Sequence, residues 1–238
     1  MKLLNEKIIK FDLTQVIYYS MILILLRIDL IFLDNTPTGG DMGAHVVPIK
    51  YFIENFASNF KINGWSNDWF AGYPLYYFYF PFPAILTYLF NLVIPYGVAF
   101  KIMVAVSIVL IVYSIEKLFR KEDYLFSHIG IGAGLMFALT ESFTIYGGNL
   151  ASTLAGQFSF TYSLAFANLA IYYITKSKHK YKVPLSSIFL SFCLLSHLIP
   201  FILYLPAYSI YWLIRKEKFQ LKFMSIFIFT TLVTRFVV

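Results

Sequence analysis

Apolar side chains run along this chain in long blocks separated by short polar stretches. The blocks fall at about 14–33, 77–94, 97–116, 124–146, 158–175, 184–199, 200–214 and 223–238. Most approach the ~20 residues that a helix needs to cross a hydrocarbon core of ~30 Å. The pattern therefore predicts an all-α, polytopic integral membrane protein with seven or eight apolar helices, forming one domain over residues 1–238. The final block, "FMSIFIFTTLVTRFVV", is short for a span and has no polar cap. The sequence is accordingly expected to be the N-terminal part of a longer chain.

The polar stretches predict an orientation. Lys2, Lys7 and Lys10 precede the first block, and "KLFRKED", "KSKHKYK" and "RKEKFQLK" separate later ones. Basic loops stay preferentially on the cytoplasmic side, which places the N-terminus there. The long insertion 34–76 and the uncharged "YGGNLASTLAGQ" then lie outside. A conflict of parity arises at "KLFRKED", which would emerge outside if 77–94 and 97–116 both crossed. Pro81, Pro83 and Pro95 bracket the first of these, so 77–94 is expected to dip into the outer leaflet and return. Arg27 and Asp29 are costly in lipid and are expected to face protein or lie near the outer interface, as a structural Arg–Asp or helix–helix pair. Within the outer insertion, "DMGAHVVPIKYFIENF" has helical spacing interrupted by Pro48, which predicts a short kinked helix on the membrane surface.

Composition strengthens this picture. The chain is 59% apolar and 13% charged, against about 25% charged for soluble domains. Its 26 Phe and 19 Tyr suit lipid-facing and interfacial positions. A net charge of +7 sits in short loops, where it acts as a topology signal and attracts anionic headgroups rather than nucleic acid. Cys193 is the single cysteine and lies inside an apolar block, which rules out a disulfide framework within these residues and a cysteine metal site. The first block is long and lacks a small-residue cleavage site, so it is expected to remain as a helix.

The predicted topology gathers Asp34, Asp41, Glu54, Asp68 and Glu141 on or near the outer face. Such acids can supply a general base, and oxygen ligands of this kind suit a divalent cation, Mg²⁺ or Mn²⁺. Asp41 follows a Gly-Gly turn and precedes His45 by four residues, so the two share a helix face. Two roles for Asp41 stay open on spacing: a helix N-cap or a base. "GWSNDWFAGYPLYYFYFPFP" sets Asp68 among Trp65, Trp69, Tyr73 and Tyr76, aromatics that either anchor at an interface or stack on a sugar ring. The small residues of "GGNLASTLAGQF" allow close backbone approach. His197, in "LLSHLIP", stands at a helix end before Pro200.

In this order and spacing, "TPTGGDMGAHVVPIKYFIEN", "GWSNDWFAGYPLYYFYFPFP", "GGNLASTLAGQFSFTYSLAFA" and "LLSHL" resemble the prokaryotic multipass proteins labelled 6-pyruvoyl-tetrahydropterin synthase-related. The resemblance covers roughly residues 14–214, and the first half also looks like the GT-C superfamily of membrane glycosyltransferases. That resemblance implies a GT-C-like helical bundle and a lipid-linked sugar donor, with a catalytic acid in the first outer loop that falls on Asp41. It implies a second acid, matched by Glu141, and an acid in an "AGEF" motif where this chain has Gln157. The resulting expectation is transfer of a sugar from a polyprenyl-phosphate carrier to a glycan, lipid or protein acceptor on the outer face. Asp41 would be the base, His45, Asp68 and Glu141 would orient substrate or hold a metal, and Trp65, Trp69, Tyr73 and Tyr76 would form the rim. The competing expectations are a transporter or flippase for lipid-linked saccharides, with Arg27 and Asp29 on its path, and an inactive scaffold.

Overall fold

The computed structural model describes residues 13–68, 71–77, 79–119, 124–141, 147–175 and 181–215. The expected block at 223–238, the N-terminal lysines and most of the three basic loops lie outside the described residues.

The first apolar block is not one continuous helix. α1 (Leu13–Leu25) is separated from the single turn α2 (Ile28–Ile31) by Arg27, whose backbone is left-handed at φ 51°. Arg27 Nε and Nη2 donate to the two Asp29 carboxylate oxygens at 3.0 and 2.8 Å, so the expected ion pair forms locally and stays exposed. Lys101 reaches back from the next long helix, and its Nζ donates to the Leu30 and Leu33 carbonyls and to Asn35 Oδ1. These contacts occupy carbonyls that the end of a helix leaves open.

α3 (Met42–Asn55) follows, with Pro48 inside it and Met42, Ile49 and Phe52 buried along one face. A 3₁₀ turn (Ala57–Asn59) leads to the antiparallel strands β1 (Gly64–Ser66) and β2 (Tyr73–Leu75), in register Gly64↔Leu75 and Ser66↔Tyr73. This small ladder is an addition to a fold that is otherwise helical. Strands of three residues are too short to leave a periodic signal in the sequence. Then α4 (Phe82–Asn91) has Pro83 in its first turn, where the missing N–H costs little. Its 10 residues extend about 15 Å, half the thickness of a hydrocarbon core, so 77–94 contains no helix of spanning length.

α5 (Tyr96–Phe119) is the central element, packed on α6 (Tyr124–Ala138) and α8 (Phe158–Thr175). Between those two come the short α7 (Leu150–Ser152) and a π-type turn, Thr153–Gln157. α9 (Lys182–Ser196) lies along α8, and α10 (Leu198–Arg215) closes the described bundle. Small polar side chains join these helices. Ser163 Oγ lies 2.8 Å from both the Cys193 and the His197 carbonyls, to either of which its single proton can be donated, and Ser186 Oγ donates to the Ala170 carbonyl at 2.8 Å. Asn168 donates to Ser114 Oγ at 3.1 Å and accepts from the Tyr204 hydroxyl at 2.7 Å. Small residues let backbones approach, and each bond satisfies a polar group that burial would otherwise penalise.

The helical class expected from the sequence is thus what the chain adopts. A set of seven or eight spanning helices is not seen: among the described residues, α5 alone is long and apolar enough to cross a membrane. Five further apolar helices or helical stretches, including Gln15–Leu25, Leu125–Ala138 and Leu198–Tyr211, are shorter.

Candidate functional site

Two backbone turns far apart in sequence lock together at one end of the bundle. Gly40, in the turn before α3, has φ +52°, and a Cβ there would collide with the Ala155 carbonyl oxygen. Asp41 N–H donates to that same oxygen at 2.7 Å. From the other side, Gly156 has φ +115°, and a Cβ on it would come within 2.8 Å of Asp41 Cβ. Positive φ and the lack of a side chain are both required at each position, so glycine is the residue that fits. The lock brings Asp41 and Gln157 face to face.

The Asp41 carboxylate does not cap its helix. Asp41 occupies the N-cap position of α3 at φ −86°, ψ 6°, and its side chain makes no capping bond. Its Oδ2 instead accepts from Gln157 Nε2 at 3.1 Å. One helical turn along, the His45 ring sits edge-on to Phe158 at 4.9 Å and beside Tyr79 at 5.6 Å. Burial lowers the His45 pKa below its ordinary value, while the Asp41 charge and a hydrogen bond with the Gly156 backbone oppose that shift. Burial also raises the Tyr73 and Tyr76 phenols, Tyr76 well above its ordinary value, so both remain neutral hydroxyls at physiological pH.

These groups line an open cavity of about 360 Å³, bounded by Asp41, His45, Tyr73, Tyr76, Tyr79 and Gln157. Among its described lining residues there is one carboxylate, one amide and no lysine or arginine. Its aromatic wall offers stacking faces, and its polar end offers a proton acceptor beside a fixed donor.

Of the residues singled out in the sequence, Asp41, His45, Tyr73 and Tyr76 come together here. Trp65 does not: it is 58% exposed on β1, and its indole packs over Gly72. Asp68 is exposed just after β1, Glu141 is exposed beyond the end of α6, and neither lines the cavity. Trp69 lies outside the described residues. The idea of converging acids also meets a geometric obstacle. Asp41 and Glu54 flank and end the same helix, about 20 Å apart at 1.5 Å per residue, and Glu54 pairs with Lys50 at 3.9 Å. No group of three His, Cys, Asp or Glu able to hold a metal ion occurs among the described residues.

Two participants gain their place in the site from the three-dimensional structure. Tyr79 is one ring in the run "YYFYF", and nothing in the spacing distinguishes it from its neighbours. Gln157 is visible in the sequence as a departure from an expected acid, and the structure gives it a specific partner. No family model, curated protein or solved structure matches this chain.

Proposed function

We propose that this chain is a polytopic membrane glycosyltransferase of GT-C type, anchored in the cell membrane with its N-terminus cytoplasmic and Asp41 on the outer face. The observation that carries the reading is Asp41, a carboxylate released from helix capping, held by one amide and lining a cavity with aromatic walls. In the reaction, Asp41 takes the proton of an acceptor hydroxyl as the new bond to the sugar's anomeric carbon forms. The bond from that carbon to the carrier phosphate breaks, and the polyprenyl phosphate leaves with the electron pair. Such a base must come within about 3 Å of the attacking oxygen.

Two further features support the reading. A second cavity, of about 330 Å³, is walled by Leu25, Leu30, Ile31, Val104 and Leu154 together with Arg27 and Lys101, and its apolar part suits the hydrocarbon chain of a donor. Met42 and Leu154 on its wall are close neighbours in sequence of Asp41 and Gln157. The bundle also exposes large apolar side chains, among them Val93 at 83%, Met136 at 77% and Ile214 at 74%. Extended apolar surface of this sort is unfavourable in water and expected in lipid.

The test is sugar transfer by the full chain in lipid vesicles, supplied with a panel of polyprenyl-phosphate-linked sugars. Wild type and Asp41→Asn are compared at matched amounts of folded protein. Loss of a general base lowers the rate by about 10²–10⁴-fold. Equal rates in the two proteins would remove Asp41 from the chemistry.

A further inference from the structure

The amide at Gln157 sits where its chemistry matters to the carboxylate it touches. A carboxylate can only accept hydrogen bonds, so the contact from Nε2 to Asp41 Oδ2 at 3.1 Å fixes which end of the amide faces Asp41. The other oxygen, Oδ1, has no hydrogen bond among the described residues, and Asp41 lines the cavity. Gln157 itself is held firmly. It ends the π-type turn whose Gly156 packs on Asp41 Cβ, and its carbonyl accepts from Thr161 Oγ1 at 3.2 Å. The glycine lock thus fixes both backbones, while one hydrogen bond fixes the carboxylate plane.

We infer that Gln157 is the positioning residue of this site: its amide orients Asp41 by one oxygen, leaves the other free for a proton, and adds no second carboxyl to compete for it. The inference rests on the reading of Asp41 as the base, and it says which feature makes that base usable. The groups that face Asp41 from the surrounding elements are His45 on α3, Tyr73 on β2 and Tyr79 in the segment that follows; none brings a permanent positive charge. Gln157, from the π-type turn, is the group among them placed to hold the carboxylate by a direct donor.

Two substitutions of similar volume separate orientation from packing. Gln157→Glu would place a second carboxyl about 3 Å from the first. Two such groups share one proton, and the second ionisation is driven upward. Gln157→Met keeps the length and removes the donor. Both are made in the full chain in lipid nanodiscs, with folding checked by the thermal midpoint. The Asp41 carboxyl is followed by infrared difference titration, its band assigned by its loss in Asp41→Asn.

The expected result is that the carboxyl pair in Gln157→Glu titrates in two steps, the upper one about one pH unit or more above the single step of the wild type. The acid limb of the transfer rate should shift by the same amount. Gln157→Met should lower kcat about 10- to 100-fold, the scale of losing a precise alignment, with KM within about twofold. A titration that stays in place in Gln157→Glu, or a kcat that stays at the wild-type level in Gln157→Met, would overturn the inference. The infrared titration reports the hold on the carboxyl whether or not transfer occurs. A failure of the glycosyltransferase reading, seen as normal transfer by Asp41→Asn, therefore stays distinct from a failure of the Gln157 inference.

Discussion

Asp41 and Glu116 are two carboxylates treated in opposite ways by the same fold. Glu116, on α5, is 3% exposed and saturated with donors. Ser127 Oγ and Gln15 Nε2 donate to its Oε1 at 2.7 and 3.2 Å, and the Tyr19 hydroxyl donates to its Oε2 at 2.9 Å. Those three donors come from α1 and α6, so Glu116 ties three helices together and borders no described cavity. Asp41 is exposed, has one donor and lines a cavity of about 360 Å³. A carboxylate whose oxygens are all engaged is part of the packing. One with an oxygen left over in a cavity is available for chemistry.

The sharpest way to break this contrast is to disable each acid separately. Asp41→Asn should lower transfer by about 10²–10⁴-fold and leave the thermal midpoint in detergent unchanged. The side chain makes no capping bond, so there is no cap to lose. A fall in midpoint with transfer intact would return Asp41 to a structural role.

Glu116→Ala should do the reverse. It leaves the Gln15, Tyr19 and Ser127 donors without their common acceptor, although Gln15 can still donate to Ser127 Oγ at 3.2 Å. Unsatisfied buried donors of this kind cost about 2–3 kcal/mol in total. Stability should drop by that order, and transfer per folded molecule should hold. Glu116→Gln, which keeps the shape and one acceptor, should cost less. A Glu116→Ala protein as stable as wild type would show that the three-helix tie is not needed.

The glycine lock is a finer lever on the same comparison, because it acts on Asp41 through the backbone alone. Gly156→Ala imposes a left-handed φ of +115° on a residue with a side chain and drives its Cβ to 2.8 Å from Asp41 Cβ. Strain of that kind costs about 1–3 kcal/mol, and relief of the clash displaces the carboxylate. Stability and transfer should therefore fall together. Gly43→Ala, inside α3 with open space around its Cβ, is the control; it should gain about 0.5–1 kcal/mol of helix stability. Transfer unaffected by Gly156→Ala would mean that the close approach of the two turns does not position the base.

How much of this was legible beforehand depends on the range of the interaction. The apolar blocks mark most helices correctly, because burial periodicity is written locally into the chain. The Arg27–Asp29 pair and the helix carrying Pro48 are local too, and both appear as expected. What stays hidden is set by contacts across the fold. The left-handed break at Arg27 divides an apolar block that reads as continuous. The pairing of Gln157 with Asp41 joins residues 116 positions apart, and no spacing rule relates them. Glu116 lies near the basic end of a long apolar helix and reads as an ordinary loop-proximal charge until α1 and α6 are placed on it. Asp68 and Glu141 fail for the same reason: sharing a predicted side of a membrane does not bring two side chains within reach.

The smallest expected effect concerns His45, a half-buried ring between the aromatic wall of the site and its exposed acid. Burial lowers the imidazole below its ordinary pKa of 6.5, and the Asp41 charge and the Gly156 backbone only partly offset this. The unfolded chain therefore takes up a proton on this ring at a higher pH than the folded chain does. The stabilisation is fully present above about 6.5 and is lost as pH falls toward the folded value. In detergent, the wild-type midpoint should decline as pH is lowered from about 7.5 to 5, and His45→Gln should decline less over the same window. Titrating groups that do not interact with His45 contribute equally to both proteins, so the difference in slope reports the ring together with its coupling to Asp41. Identical slopes would mean that His45 titrates as it does in water, and would take it out of the half-buried wall beside Asp41.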